Sequence, residues 1–522
     1  MSLPTPMNSW PSSNAPSLNY DILINIMSFL TAIRRGLLFA MMKTCRTLYN
    51  AGTLYMLEDG VRLSGHISNM YSFNNFMLQN RAVRCSLVRR LSLNSSSGWT
   101  DWCPDTPEER SQFEGKVLQD FCQIIQGCRN LRHLELAFFE GWLSPPKCVA
   151  MVWPTFSSIR TLEYVFVQRH DPIEQLLPMW ADSLKWLCIS TLSNSVMVEP
   201  VDAAEDPRLP IRSLHNLKAL SLEFPGFSSE HRALRCPQLE ALSIDKWNLI
   251  EIEHLIGSFP NIRNLHFRDP NLDSWGLGSL DATRAHNIDW QSVQNQRWPN
   301  LSYFYGSARA LYTLAPQCKI THVNIALPDN NYHHLNPILQ DTMPSQLTLF
   351  IHLDSDLTVI PTFPEAIDLP LTHLDLIIEV RAPYSLEELH QFLLPLLDHI
   401  GSRLTTFRLT LQFKQQLILW YFWDIMEGTS STPFAENIVR NMMALDILIL
   451  DIPFQKPEKV SYWKVERVPS EASATPILLQ TEEEKKTAED GFYKVTSGLD
   501  EFGRFEFSDH GWRWNEGLQR FA

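Results

Sequence analysis

The sequence predicts an α/β protein with a short all-helical head, an irregular solenoid of strand-forming repeats and a C-terminal capping segment. Near the N-terminus, apolar residues recur at the helical spacings of three and four. From Val88 onward, a short apolar pattern with the two-residue period of a β-strand recurs about a dozen times. The predicted parts are a flexible N-terminal tail (1–15), a helical module (16–60), the repeat array with linker helices and inserted loops (61–454), and an acidic mobile stretch with an aromatic cap (455–522).

Composition restricts the class of partner. The 522 residues include 44 Lys and Arg against 58 Asp and Glu, a formal net charge of −14. Nucleic acids and anionic membranes require clustered positive charge, so we expect neither as a partner. The nine cysteines contain no CxxC pair, which fits reduced thiols better than a disulfide framework. With no secretory signal and no membrane-length apolar run in the sequence, we expect a cytoplasmic or nuclear protein.

The helical module begins with an amphipathic run. Its apolar positions line one face of a helix and are Leu18, Ile22, Leu23, Ile26, Phe29 and Leu30. Gly36 predicts a helix stop, and a second apolar run follows from Leu37 to Leu48. Two or three short helices bury little apolar surface alone, so the module should need a partner or its neighbouring domain.

The array repeats the pattern apolar-x-x-apolar-x-apolar. The segments are VRRLSL from Val88, LRHLEL from Leu131, IRTLEY from Ile159, LKWLCI from Leu184, LKALSL from Leu217, LEALSI from Leu239, IRNLHF from Ile262, LSYFYG from Leu301, ITHVNI from Ile320, LTHLDL from Leu371, LTTFRL from Leu404 and LDILIL from Leu445, with a unit of ambiguous register near Leu347. The spacing is typical of leucine-rich repeats, whose parallel strands form a concave face.

Residues between the apolar positions of these strands should point to that concave face. Aromatic side chains at exposed strand positions are the usual anchors of a protein interface, and the mixed charge along these strands implies no class of ligand. The candidates for partner binding are Trp186, His266, Tyr303, Tyr305, Asp375 and Arg408. Packing of the aromatic members on inserted loops or on the C-terminal tail is an equal alternative.

The last thirty residues are again aromatic, and Phe505 and Phe507 alternate with polar residues as in a strand. We expect this segment to fold back as a cap on the open end of the array. An aromatic partner-binding motif is the alternative.

Catalytic signatures are missing from the sequence. The pair His333–His334 has no acidic or cysteine partner at ligand spacing, and no glycine-rich phosphate loop or GxSxG motif occurs. We therefore expect no metal, no cofactor and no enzymatic activity.

Residues 18–49 resemble the F-box, a helical module that binds the adaptor subunit of SCF-type ubiquitin ligases. Leu18, Asp21, Ile22, Leu23, Ile26 and Leu30 match its opening, Met27–Phe29 its hydrophobic-Ser-aromatic position, and Cys45–Arg46 with Leu48–Tyr49 its later signature. Asn19 stands where the family has proline, and Thr44 where it has valine. A leucine-rich array directly after the module is the layout of F-box/leucine-rich-repeat proteins.

The resemblance implies a substrate receptor that is monomeric outside its complex. The head would bind the SCF adaptor through Leu18, Ile22, Leu23, Ile26 and Leu30, while Leu37, Leu38 and Cys45 would be internal to the module. The array would hold a protein substrate on its concave face, and other subunits would perform ubiquitin transfer. The alternative is a non-catalytic leucine-rich-repeat scaffold without a link to ubiquitination, whose head only caps the array.

Overall fold

A computed structural model of the chain describes two compact units, Met1–Val165 and Phe166–Ala522. The described residues are 20–33, 35–64, 67–94, 106–137, 151–152, 154–168, 176–190, 214–223, 236–245, 251–268, 277–327, 332–353, 369–382, 384, 386–400, 403–413, 431–451, 460–467, 474–488, 505–508 and 511–514. The predicted tail (1–15) and Leu18 lie outside them.

The first unit begins with three helices, α1 (Tyr20–Ile33), α2 (Arg35–Met42) and α3 (Arg46–Asp59). Gly36 does not end a helix as predicted but lies in the first turn of α2. The second predicted run is split at 43–45, where α2 ends and Cys45 precedes α3 with an extended backbone. We refer to residues 20–59 as the head.

Strands and helices alternate in the rest of the first unit. In order they are β1 (Val61–Ser64), α4 (Ile67–Leu78), α5 (Arg81–Leu87), β2 (Arg90–Asn94), α6 (Pro107–Gly127), β3 (His133–Ala137) and β4 (Tyr164–Gln168), of which only the first two residues belong to this unit. β2 pairs in parallel with both β1 and β3. Thr106 caps α6 by accepting a hydrogen bond from the Glu109 amide at 3.3 Å, with Pro107 in the first turn.

The position of β4 corrects the predicted repeat at Ile159. The amides of Glu163 and Tyr164 bond to the Arg132 carbonyl, as those of Arg132 and His133 bond to the Arg89 carbonyl. Tyr164 therefore occupies the place of His133, three residues later than predicted. The cause is an apolar spacing that fits two registers, since Ile159, Leu162, Val165 and Val167 are all buried.

The described part of the second unit contains a run of ten parallel strands that pair in chain order. They are β5 (Trp186–Ser190), β6 (Ala219–Glu223), β7 (Ala241–Asp245), β8 (Asn264–Arg268), β9 (Tyr303–Ser307), β10 (His322–Leu327), β11 (Gln346–Leu353), β12 (His373–Val380), β13 (Thr406–Phe413) and β14 (Ile447–Asp451). The predicted α/β class with parallel strands is confirmed.

Helices connect many of these strands. They are α7 (Ile252–Ser258), α8 (Leu277–Gln294), α9 (Ala308–Leu314), α10 (Leu335–Thr342), α11 (Leu386–Ile400) and α12 (Ser431–Asn441), with 3-10 turns at Leu177–Trp180 and Tyr332–His334. Alternating burial along the strands places one face in the core, where Leu347, Leu374, Phe407 and Leu448 are register neighbours and all buried. Each such side chain contributes about 1.5–3 kcal/mol of hydrophobic free energy.

Side chains just before the strands tie each repeat to the previous one. The bonds are Asn216 Nδ2 to Asp182 O at 2.8 Å, Asn261 Nδ2 to Pro237 O at 2.7 Å, Thr372 Oγ1 to Ser345 O at 3.1 Å and Thr405 Oγ1 to Thr372 O at 3.2 Å. These donors satisfy backbone carbonyls at the corner where the chain enters each strand. The Asn residues that precede several predicted strands have this role.

Antiparallel strands β15 (Ser461–Arg467) and β16 (Ala474–Leu478) extend the sheet beyond β14. Tyr462 of β15 packs with Ile449 of β14 and with Ala488 of a helix over residues 482–488. The structure thus differs here from the expected mobile stretch. The aromatic C-terminus contains a hairpin of β17 (Phe505–Ser508) and β18 (Gly511–Trp514), while its side chains lie outside the described residues and its capping role stays a prediction.

Candidate functional site

Helix α1 has one apolar face in the head core and two large aliphatic side chains on its surface. Met27 is fully buried with Leu38 of α2, and Leu23 and Leu30 pack against this cluster. Ile22 and Ile26 are instead 53% and 44% exposed. They are four residues apart and share one face of the helix. Of the predicted adaptor-binding residues, these two are therefore available to a partner, while Leu23 and Leu30 support the head from inside.

Helix α2 also exposes apolar side chains. Leu38 is buried and Cys45 is partly buried against the same core, as predicted for residues internal to the module. Leu37, predicted to be internal, is 47% exposed, and Phe39, which sequence reasoning missed, is 45% exposed. The continuous apolar run from Leu37 to Met42 hides which residues face outward, because a run without polar residues has no helical period.

A close approach of α3 holds the head together at Gly52. A Cβ atom at Gly52 would lie 2.3 Å from Cγ of Met42 and 2.6 Å from Cε of Met27. Any larger residue must displace the side chains that fill the core of the head. The packing of α1 and α2 on α3, which sets their exposed faces, therefore requires glycine at position 52.

Gly52→Ala should destabilise the head by about 1–3 kcal/mol, because the added methyl overpacks its core. The matched control is Gly36→Ala, where a Cβ meets nothing within 4 Å. The control should be neutral or stabilising by up to about 1 kcal/mol through helix propensity. Hydrogen exchange of amides 20–59 would measure both variants, and equal exchange rates in the two would contradict the packing described.

The six predicted strand-face residues fall into separate groups. Trp186 lies in the same register row as Tyr303, but Ala219, Ala241 and Asn264 stand between them. Four strand spacings separate the two rings by about 19 Å. Trp186 is half-buried, with Nζ of Lys185 5.7 Å from its ring centroid. It does not form one site with the tyrosines.

Tyr303, Tyr305 and His266 do come together. The His266 ring centroid lies 5.3 Å from that of Tyr303 and 5.5 Å from that of Tyr305. His266 itself is buried, so it supports the two half-buried tyrosines and offers little surface of its own. The His322 ring, which sequence reasoning did not select, packs edge-on against Tyr303 at 5.0 Å.

Imidazoles in this group are neutral at pH 7. Burial lowers the pKa of His266 to about 3. Burial, reinforced by the nearby His373, lowers the pKa of His322 to about 4, and Nε2 of His322 lies 3.1 Å from Oγ1 of Thr348. Burial also raises the pKa of Tyr303, although its hydrogen bond with Asn324 acts in the opposite direction. The group is an uncharged aromatic surface with hydrogen-bonding edges.

Asp375 and Arg408 are register neighbours on β12 and β13. Nη2 of Arg408 lies 3.4 Å from Oδ2 of Asp451 on β14. Burial raises the pKa of Asp375 to about 6, while Arg408 lowers it and Asp451 raises it further. Two carboxylates therefore face one guanidinium. Asn324 and Thr348 lie between Tyr305 and Asp375 in the same row.

Nothing in the described part of the chain has the geometry of a metal centre, since no group of three or more His, Cys, Asp or Glu side chains converges there. His333 and His334 contact each other, and His334 stacks on Tyr312 at 4.1 Å. Among the described helices, none is long and apolar enough to cross a membrane.

Of three comparisons with known proteins, only the one with solved structures gives a match. No model of a protein family matches the chain, and no curated protein matches it. Among solved structures, the crystal structure of the leucine-rich repeat-containing protein LegL7 from Legionella pneumophila is similar at 12% sequence identity. That match covers 72% of this chain and 92% of that chain with a TM-score of 0.25, a value too low to support an inference.

Proposed function

We propose that the chain is a substrate receptor of an SCF-type ubiquitin ligase. Its head would bind the SCF adaptor, and the strand face of its second unit would bind a target protein. The chain would perform no chemistry itself, because ubiquitin transfer belongs to other subunits. No cofactor has a role in this function.

The observation that carries the proposal is the exposure of Ile22 and Ile26 on a helix whose Met27 is buried in the head core, with Leu23 and Leu30 packed against it. Neighbouring exposed aliphatic side chains that form a patch mark a docking surface more often than a single exposed aliphatic side chain does. Both positions are among the five to which the F-box resemblance assigns adaptor contact. Leu37 and Phe39 are exposed on the next helix and extend the candidate surface.

The low charge of the α1 surface also fits an apolar partner. Asp21 and Asn25 flank the exposed isoleucines on the same side of the helix, and no Lys or Arg lies between Tyr20 and Ile33. An interface whose centre is apolar and free of charge is typical of stable protein complexes. The target-binding part of the proposal is supported by the aromatic group around Tyr303 on the strand face.

Replacing Ile22 and Ile26 with Asp should abolish retention of the full chain on immobilised SCF adaptor. Each side chain is expected to contribute at least about 2 kcal/mol as a central contact. Both positions are exposed, so the head should stay folded, which circular dichroism and thermal unfolding would verify.

The matched control is Val83→Asp combined with Val293→Asp, two exposed aliphatic residues outside the head. This control should bind the adaptor as the wild type does. Adaptor binding that survives the Ile22 and Ile26 replacements, or no binding by the wild type, would contradict the proposal and favour a scaffold without a link to ubiquitination.

A further inference from the structure

Asp375 lies on the strand face with one carboxyl oxygen, Oδ1, that is buried and has no donor among the described residues. A buried carboxylate oxygen without a donor costs free energy, and a bound donor would recover it. Asp375 stands in the centre of a row whose members on β9 to β11 are Tyr305, Asn324 and Thr348.

Arg408 does not cancel the negative charge around Asp375. Its guanidinium is shared with Asp451, so one positive charge faces two carboxylates. The imidazoles on the other side of the row are neutral and contribute no compensation. The surface from β12 to β14 therefore has capacity for one additional cation.

An apolar row runs beside this acidic position. Ala326, Phe350 and Ile377 are register neighbours on β10, β11 and β12, and all three are half-buried on the strand face. Phe350 and Ile377 lie two residues further along their strands than Thr348 and Asp375. A side chain next to a cation at Asp375 would thus meet an apolar surface.

We propose that the face formed by β9 to β14 binds an extended segment of a partner protein that carries a Lys or Arg beside an apolar residue. The cation pairs with Asp375 and Asp451, and the apolar residue lies on Phe350 and Ile377. This inference rests on the proposed function only in taking the strand face as the target-binding surface, and it does not depend on how the head docks.

Charge at Asp375 gives the interaction a pH dependence with a definite sign. The charged groups that act on it are Arg408 on β13 and Asp451 on β14, while the other titratable groups on β12 and β11 are His373 and, four residues further along the strands, Glu379 and His352. Glu379 is paired with Arg381 at 2.6 Å, and the pKa of His373 lies below its ordinary value through burial. Because the pKa of Asp375 is about 6, its carboxylate is charged at pH 7.5 and mostly protonated at pH 5. Affinity for a cation should fall as the pH falls.

The test uses labelled nine-residue peptides in which Arg, Lys, citrulline or Glu stands between Leu and Phe on a Gly/Ser background. At pH 7.5, fluorescence anisotropy with the full chain should show the Arg and Lys peptides binding at least about tenfold more tightly than the citrulline and Glu peptides. Citrulline is the neutral isostere of Arg, so the difference isolates the charge. At pH 5 the difference should shrink towards unity.

Asp375→Asn should remove the preference for Arg over citrulline at pH 7.5, whereas Glu466→Gln, at an exposed carboxylate on β15, should leave it unchanged. Thermal unfolding would verify that both variants fold. Asp451→Asn should also reduce the preference for the Arg peptide over the citrulline peptide. Equal affinity for the Arg and citrulline peptides, a preference that survives Asp375→Asn, or no binding by any peptide would overturn the inference. The Ile22 and Ile26 variant should bind these peptides like the wild type, so failure of adaptor binding and failure of this inference are separate results.

Discussion

Replacing Asp341 with Ala should destabilise the second unit by about 3–5 kcal/mol, because it leaves a buried guanidinium without its counter-charge. Oδ2 of Asp341 lies 2.7 Å from Nη2 of Arg284, and the two side chains are only 12% and 13% exposed. Oδ1 of Asp341 accepts a hydrogen bond from Gln317 at 3.0 Å. Arg284 also donates to the carbonyl of Tyr312 at 2.8 Å, so it cannot turn outward without breaking a second bond.

Urea denaturation of the full chain and hydrogen exchange in α8 to α10 would measure the loss. Removing both charges with Arg284→Met and Asp341→Leu should recover most of the stability, because a well-packed apolar pair avoids the cost of an unpaired buried charge. Glu482→Ala breaks the exposed ion pair with Lys485 and should cost less than about 1 kcal/mol. A loss for Asp341→Ala no larger than that control would refute the assigned role of the ion pair.

Gly306→Ala should destabilise the second unit by about 3 kcal/mol, at the upper end of overpacking effects. A Cβ at Gly306 would lie 2.4 Å from the backbone oxygen of Phe267 and 3.0 Å from its Cβ. Phe267 is the register partner of Gly306 on β8, and its side chain is buried. Because the nearest atom belongs to the backbone, only a shift of paired strands could relieve the clash.

Gly257→Ala is the matched control in the same unit, since a Cβ there meets nothing within 4 Å and the residue lies in helix α7. That variant should be neutral or slightly more stable. Thermal unfolding monitored by circular dichroism would compare the two variants with the wild type. A Gly306→Ala chain as stable as the Gly257→Ala chain would show that β8 and β9 separate without cost.

The strands of the array were predictable because their apolar residues alternate with polar ones and recur with similar lead-ins. Where the apolar spacing fits two registers, or where a strand is short or lies outside the predicted array, the strand is misplaced or missed. At β4, buried residues at 159, 162, 165 and 167 allow two registers, and the bonds from the Glu163 and Tyr164 amides to the Arg132 carbonyl select one. β1 is four residues long and precedes the first predicted repeat, at Val88, in the sequence, although it pairs with β2 in the sheet. β15 and β16 are antiparallel and lie beyond the last predicted repeat, at Leu445.

The candidate site was predictable only in part, since helical period indicates the apolar residues of a face but not which of them stay exposed. Ile22 and Leu23 are adjacent in the sequence, yet Ile22 is exposed and Leu23 packs inward. On the strand face, the pattern placed His266 at the surface, whereas the rings of Tyr303 and Tyr305 and the neighbouring strands bury it. Whether a strand-face residue is buried depends on the size of the side chains on the neighbouring strands. The sequence of its own strand does not contain that information.

A second unpredicted feature is the amide network of α8. Oδ1 of Asn287 accepts from the Ile252 amide at 3.1 Å, and its Nδ2 donates to the Thr313 carbonyl at 2.9 Å. Gln291 donates to the carbonyl of Ala315, whose left-handed backbone ends α9. These buried amides satisfy helix ends on two other elements. In the sequence they look like polar residues of a solvated helix face.

Hydrogen exchange of the full chain with and without SCF adaptor tests the docking of the head most directly. Saturating adaptor should slow exchange of amides in α1 and α2, residues 20–42, and leave the strand face from β9 to β14 unchanged. The Ile22→Asp, Ile26→Asp chain should show no such protection. Protection absent from α1 and α2, or located on the strand face, would contradict the assignment of the head as the docking surface for the adaptor.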